Sequence, residues 1–260
     1  MDSESPSTLQ SQQEPWKQTV SPAPAPSERK LIAPLWHTVL MIVLILGLSY
    51  GGSAKIPANS ILNSRYFVYG STAVMEFIWF LLVWFGISRK GIKMRELIGG
   101  RWKSPEDFLI DLGIGVGFWL GSALVLAPLK IALGLVDMHN PAASLQQMKQ
   151  AVAPLIPRNG LEVGLFLFLT ILAGFFEEIV FRGYLLKQIG ALSGNIFVGV
   201  FASAVLFGAA HGYQGARLMA LIAALGALLG LLAVWRKSLR PGMFAHALTD
   251  AVSGLFLFFS

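Results

Sequence analysis

Seven apolar stretches run through this chain, at residues 34–50, 66–88, 108–136, 162–186, 196–211, 218–235 and 243–259. Each is long enough, or nearly so, to cross ~30 Å of hydrocarbon. In lipid every backbone polar group must find its partner within the protein, and isolated strands cannot do that. The expected fold is therefore all-α: a polytopic transmembrane helix bundle of about seven spans, with six to eight allowed by the short fifth stretch. That stretch is rich in small residues, which let helices approach closely, and is expected to pack among other helices. Composition agrees. Hydrophobic residues make up 55% of the 260 and charged residues only 13%, with a mean hydropathy of +0.63, too apolar for a soluble protein.

The first thirty residues differ. "MDSESPSTLQSQQEPWKQTVSPAPAPSERK" is rich in Ser, Pro and Gln and is expected to be a disordered tail ahead of a membrane-embedded domain at 31–260. It lacks the order of a signal peptide, so the first span is expected to be retained. Lys and Arg set the orientation. Arg89, Lys90, Lys93, Arg95, Arg101 and Lys103 lie between the second and third stretches, "RKSLR" precedes the last, and Arg29 and Lys30 precede the first. These segments are expected on the cytoplasmic side, with the amino terminus inside and the carboxyl terminus outside. The segment 136–160 then forms an external loop, with a short amphipathic helix around 143–155. The formal charge of +6 reads as loop charge and not as a nucleic-acid patch. With no cysteine, disulfides, thiolate metal sites and cysteine nucleophiles are excluded.

Against this background the charged residues inside the spans stand out, since each costs roughly 2.5–3.5 kcal/mol at the bilayer centre. "AGFFEEIVFRGYLL" places Glu177, Glu178 and Arg182 in the fourth stretch. Glu178 and Arg182 are four apart and share a helix face, whereas Glu177 has no local partner. "LFGAAHGYQG" holds Phe207 and, one turn later, His211. "MFAHALTDAVSG" holds His246 and Asp250, again four apart, a spacing that lets a carboxylate orient an imidazole or lets both hold one ion. Carboxylates beside neutral histidines suit water activation, while the same groups also build proton relays. Hydrolysis is favoured; a proton-coupled transporter and a non-enzymatic membrane adaptor or immunity protein are the alternatives.

The three patterns, EExxxR, FxxxH and HxxxD, in this order on apolar helices, resemble the CPBP intramembrane proteases. That family comprises CAAX proteases and bacteriocin-processing enzymes and is also called the abortive-infection family. The motif-bearing resemblance covers residues 161–260. It implies an endopeptidase in which Glu177 is the catalytic glutamate, His211 its water-activating partner and His246 the histidine of the third motif, with Glu178, Arg182 and Phe207 in support. Asp250 stands where CAAX-processing members carry Asn. An Asn amide can donate to an oxyanion and an ionised Asp cannot, so Asp250 is expected to hold His246 instead. HExxH, GxSG and GxGD, the marks of other intramembrane hydrolases, are absent.

The family's mechanism is described both with and without metal. Glu177, His211 and His246 could hold a divalent ion such as zinc with an open position for water; a metal-free site is preferred slightly, and no cofactor is certain. The expected partners are membrane lipid and a peptide or protein substrate, lipidated or carrying a leader, and the expected location is a bacterial plasma membrane. The simple topology has one difficulty: it puts Glu177 mid-span, His211 near the external end of the fifth span and His246 near the internal end of the seventh. Tilt, a re-entrant start to span five or a break at 190–195 is needed to bring them level. Glu76, mid-span, is either a partner to the site or a polar contact between helices. Asp111 reads as complementing a helix dipole, and His37 and His139 as interfacial or loop residues.

Overall fold

The computed structural model describes residues 31–51 and 64–260. The tail expected at 1–30 lies outside the described residues. Ten helices follow in order: α1 (Leu35–Gly51), α2 (Arg65–Ser88), α3 (Met94–Ile98), α4 (Pro105–Ala132), α5 (Pro141–Ala151), α6 (Gly160–Glu177), α7 (Leu186–Ser193), α8 (Ile196–Ala210), α9 (Ala216–Arg236) and α10 (Arg240–Phe259). A π-helical segment, Glu178–Leu185, joins α6 to α7 without a break. The described residues contain no strand beyond one isolated bridge between Gly99 and Ser238. Among the described residues five helices are long and apolar enough to cross a membrane, counting 160–193 as one, and α1 and α8 are shorter apolar helices. The architecture is the expected all-helical one.

Local chemistry starts these helices where they start. Ser104, Asn140, Asn159 and Asn195 each accept a hydrogen bond from an amide of the first turn of α4, α5, α6 and α8, meeting donors that have no partner within the helix. Pro105 and Pro141 then occupy first positions where a missing N–H costs nothing. At α6 the cap is reciprocal, because Glu162 accepts in return from the amide of Arg158 at 2.7 Å. The outward faces are apolar, with Leu124, Phe201 and Phe259 70–80% exposed. The interior, in contrast, holds Glu76, Asp111, Glu178, Arg182 and His246. A protein that is apolar outside and charged inside suits a lipid solvent.

Every residue of the π segment is buried. It lies at the centre of the largest core cluster, with Met41 and Ile45 of α1, Val83 and Ile87 of α2, Leu97 of α3 and Phe207 of α8 around it. His37 ties α1 to it. Its Nδ1 meets the Tyr184 hydroxyl at 2.7 Å and its Nε2 meets the Leu82 carbonyl at 2.9 Å, and Thr38 and Gln188 extend the network. His37 is thus 1% exposed, not interfacial: both ring nitrogens have protein partners, so it can be buried without an orphaned polar atom. His139 is exposed in a loop. Asp111 departs from the dipole reading. It is the seventh residue of α4, past the first turn, and is paired with Arg236 at 3.0 Å and the Trp102 indole at 2.8 Å.

The basic segment before α4 packs on the segment before α10. Leu239 donates to the Ile98 carbonyl, Arg240 to that of Gly99, and the Arg240 guanidinium lies 4.9 Å from the centre of the Trp102 ring. The two basic segments therefore share one end of the bundle. The amphipathic helix expected at 143–155 is α5, two residues earlier at its start.

Close packing of α6 on α10 places the charged residues of both. Gly174 makes it possible: a Cβ there would stand 2.8 Å from the Met243 carbonyl and 2.9 Å from the Ala247 nitrogen. Backbone cannot yield as a flexible side chain can, so larger residues force the helices apart at a cost of ~1–3 kcal/mol or more. Gly174→Val should lower the melting temperature of the detergent-solubilised protein by several degrees and reduce its yield, whereas Gly164→Ala, with nothing within 4 Å of a Cβ, should leave both unchanged. Size-exclusion chromatography and thermal melting compare the two.

Candidate active site

Glu178 is the hub. Its Oε1 accepts from Arg182 Nη1 at 2.8 Å and from His246 Nδ1 at 3.0 Å. Both members of the ion pair are completely buried. The guanidinium also lies over the Phe207 ring, 4.2 Å from its centre, an arrangement that favours a desolvated cation. Phe207 in turn packs edge-on against His246 at 5.5 Å and against His211 at 4.9 Å between ring centres. One aromatic ring thus touches the arginine and both histidines.

His246 has its two nitrogens in different surroundings. Nδ1 faces Glu178, while Nε2 faces Glu177 at 3.5 Å and Asp250 at 3.6 Å. The residue that orients His246 through its other nitrogen is therefore Glu178 and not Asp250. The HxxxD spacing does bring Asp250 to the ring, but on the side where the 39% exposed carboxylate remains open. Glu177, without a partner on its own helix, finds one across the interface on α10. Consecutive glutamates, pointing about 100° apart on a helix, straddle one imidazole.

His211 follows the last residue of α8. Its Nδ1 lies 2.8 Å from the carbonyl of Phe207. A carbonyl only accepts, so Nδ1 carries a proton, and in the neutral ring Nε2 keeps its lone pair. The Ser49 hydroxyl bonds the carbonyls of Ala209 and Ala210 at 2.9 and 2.8 Å, satisfying acceptors that the helix end leaves over and fixing the chain just before His211. Ser49 carried no signal in the sequence beyond being a small polar residue near a span end.

The depth difficulty resolves through helix length. The fourth span does not stop near residue 186 but continues to Ser193, roughly 24 Å beyond Glu177 at 1.5 Å per residue. The chain turns at Gly194, whose φ is 72°, and α8 climbs back for only 15 residues, roughly 22 Å. His211 therefore returns to the level of Glu177. Glu76 is brought to the same place. It is 7% exposed, and Phe77 and Phe80, beside it and one turn on, both pack on Phe176, the neighbour of Glu177.

A metal fits poorly. Among the described residues no three His, Asp or Glu side chains gather as a group able to hold an ion, so Glu177, His211 and His246 converge without forming a ligand set. No chemical step below is routed through one.

The family model described as "Type II CAAX prenyl endopeptidase Rce1-like" matches residues 159–252. Neither a curated protein nor a solved structure matches the chain. The matched segment runs from the cap of α6 to just past Asp250 and contains all three motifs, so over these residues the chain is similar to the Rce1-like CAAX prenyl endopeptidases.

Proposed function

We propose that the protein is a multi-pass intramembrane endopeptidase of the glutamate type, cutting a peptide or protein substrate that reaches the site from the membrane. The observation that carries this reading is that Glu177 and Asp250, from two helices, both stand within 3.6 Å of His246 Nε2, with His211 packed on the same Phe207 ring as His246. Glu177 takes a proton from water, with His211 Nε2 as the second acceptor that aligns it. The hydroxide attacks the scissile carbonyl. In its doubly protonated form His246 donates Nδ1–H to Glu178 and has Nε2–H left for the oxyanion. Collapse of the tetrahedral intermediate breaks the C–N bond, and the proton held by Glu177 passes to the leaving amine. The spacings of 3.5–3.6 Å are longer than good hydrogen bonds, as is common before substrate draws a site together.

The family suggests a prenylated cysteine followed by two aliphatic residues and one more as the substrate class. Asp250 stands in place of the Asn of CAAX-processing members, 3.6 Å from His246 Nε2, so a non-prenylated or leader-type peptide is the variant substrate to compare. The bundle end that carries the basic segments is assigned to the cytoplasm, and with it the amino terminus.

Glu177→Gln is nearly isosteric. It should reduce cleavage of a fluorogenic farnesylated CAAX peptide by ~10²–10⁴-fold with normal membrane abundance. Wild-type cleavage by the folded variant would sink the mechanism, and counter-ion flux in reconstituted vesicles would favour a transporter instead.

Arg182→Ala leaves Glu178 buried and uncompensated, which costs ~3–5 kcal/mol. Folded protein should fall sharply. The pair Glu178→Gln with Arg182→Met should recover part of the yield but little activity, because Glu178 also orients His246. Normal accumulation of Arg182→Ala, measured by membrane immunoblot, overturns the structural role of the pair.

Activity should survive chelation. Zinc found at one equivalent in purified protein, lost with activity and restored with it, would overturn the glutamate-type assignment.

A further inference from the structure

Glu76 lies outside the three motifs and outside the matched segment. It sits in the middle of α2, and its burial among apolar helices demands a partner. The register of α2 against α6 is set by aromatic contacts. Phe80, one turn after Glu76 on the same face, packs on Phe175 and Phe176 at 6.4 and 5.4 Å between ring centres, and Phe77 packs on Phe176 at 6.3 Å. Those contacts bring Glu76 to the residue next along, Glu177. One oxygen of each carboxyl, Oε2, is buried without a hydrogen-bond partner. Two carboxylates are both acceptors and repel, so a contact between them requires one proton. Glu177 must accept if it is to act on water, which leaves Glu76 as the donor.

We propose that Glu76 is a positioning residue of the site: its carboxyl donates a hydrogen bond to the Glu177 carboxylate and holds it toward His246. Charge balance agrees. Asp250 on α10 stands 3.6 Å from the same imidazole nitrogen that Glu177 approaches, and Glu178 lies next in the chain to Glu177. Four ionised carboxyls would face at most two cations, Arg182 and the doubly protonated His246.

The proposal rests on the endopeptidase reading for the choice of donor and for its kinetic arm. Glu76→Gln keeps a donor of the same reach; Glu76→Leu removes it. With the farnesylated CAAX peptide, Glu76→Gln should keep kcat within about tenfold of the parent, while Glu76→Leu should lose about 100-fold in kcat with little change in KM. Equal losses in the two variants, both folded by thermal melting, overturn the donor role. The spectroscopic arm needs no turnover. The infrared difference between parent and Glu76→Gln should contain the C=O stretch of a buried protonated carboxyl, and its absence overturns the proposal. If the parent fails to cut any peptide but the band is present, the hydrogen bond stands and the endopeptidase reading falls.

Discussion

Arginine does not give up its proton in proteins, so a buried arginine must be met by something. Arg182 is met by Glu178 at 2.8 Å and by the face of Phe207. Much of the rest follows from this requirement. Phe207 belongs to α8, so the cation fixes α8 against the π segment. The oxygen of Glu178 that accepts from Arg182 also accepts from His246, which fixes α10 as well. The interaction that makes a buried cation tolerable is therefore the one that orients a histidine. An isolated buried pair is weak support for stability against a well-packed apolar alternative. Here its retention makes sense through the third group it positions.

The backbone takes a form that suits this. The segment from Glu178 to Leu185 is π-helical, wider than an α-helix, and such turns inside longer helices recur at functional sites. The change begins between the two glutamates: Glu177 closes α6 and Glu178 opens the π segment. Glu178 points to Nδ1 of His246 and Glu177 to Nε2. This answers why two carboxylates stand adjacent in an apolar run. One is fully buried and holds the ring; the other keeps 16% of its side chain exposed.

The seven apolar runs and the positions of the ionisable residues within them were legible from period and length alone, because lipid permits few alternatives to helix. The pair Glu178 and Arg182 was legible too, since four-residue spacing on one helix decides it locally. What spacing could not show was contact between elements. Asp250 looked like the partner that orients His246 because it is one turn away. Glu178, 68 residues distant, takes that nitrogen instead. His37 looked interfacial because it begins a span; its burial depends on Tyr184, 147 residues away. The depth of His211 depended on where a continuous apolar helix stops. The run from 160 to 193 is longer than a bilayer requires, so hydropathy marks no end within it; only Gly194 does.

Small residues connect the packing to the electrostatics. Oε2 of Glu178 and Nη2 of Arg182 are buried without hydrogen-bond partners. Each faces a glycine. A Cβ at Gly242 would lie 3.1 Å from Oε2, and one at Gly226 would lie 3.1 Å from Nη2 and 3.0 Å from the Phe207 ring. In a membrane, small residues usually serve close approach of helices, and the approach of α9 and α10 to the π segment uses them so. At these two positions they do something further. A methyl group in either place would press apolar surface on a charged atom that already lacks a partner and would lift Phe207 from the guanidinium. Glycine leaves that space free instead. The charged cluster and the glycine-lined helix contacts are thus one arrangement: the helices can close on the ion pair only where they carry no side chain, and the ion pair keeps its geometry only because they do close.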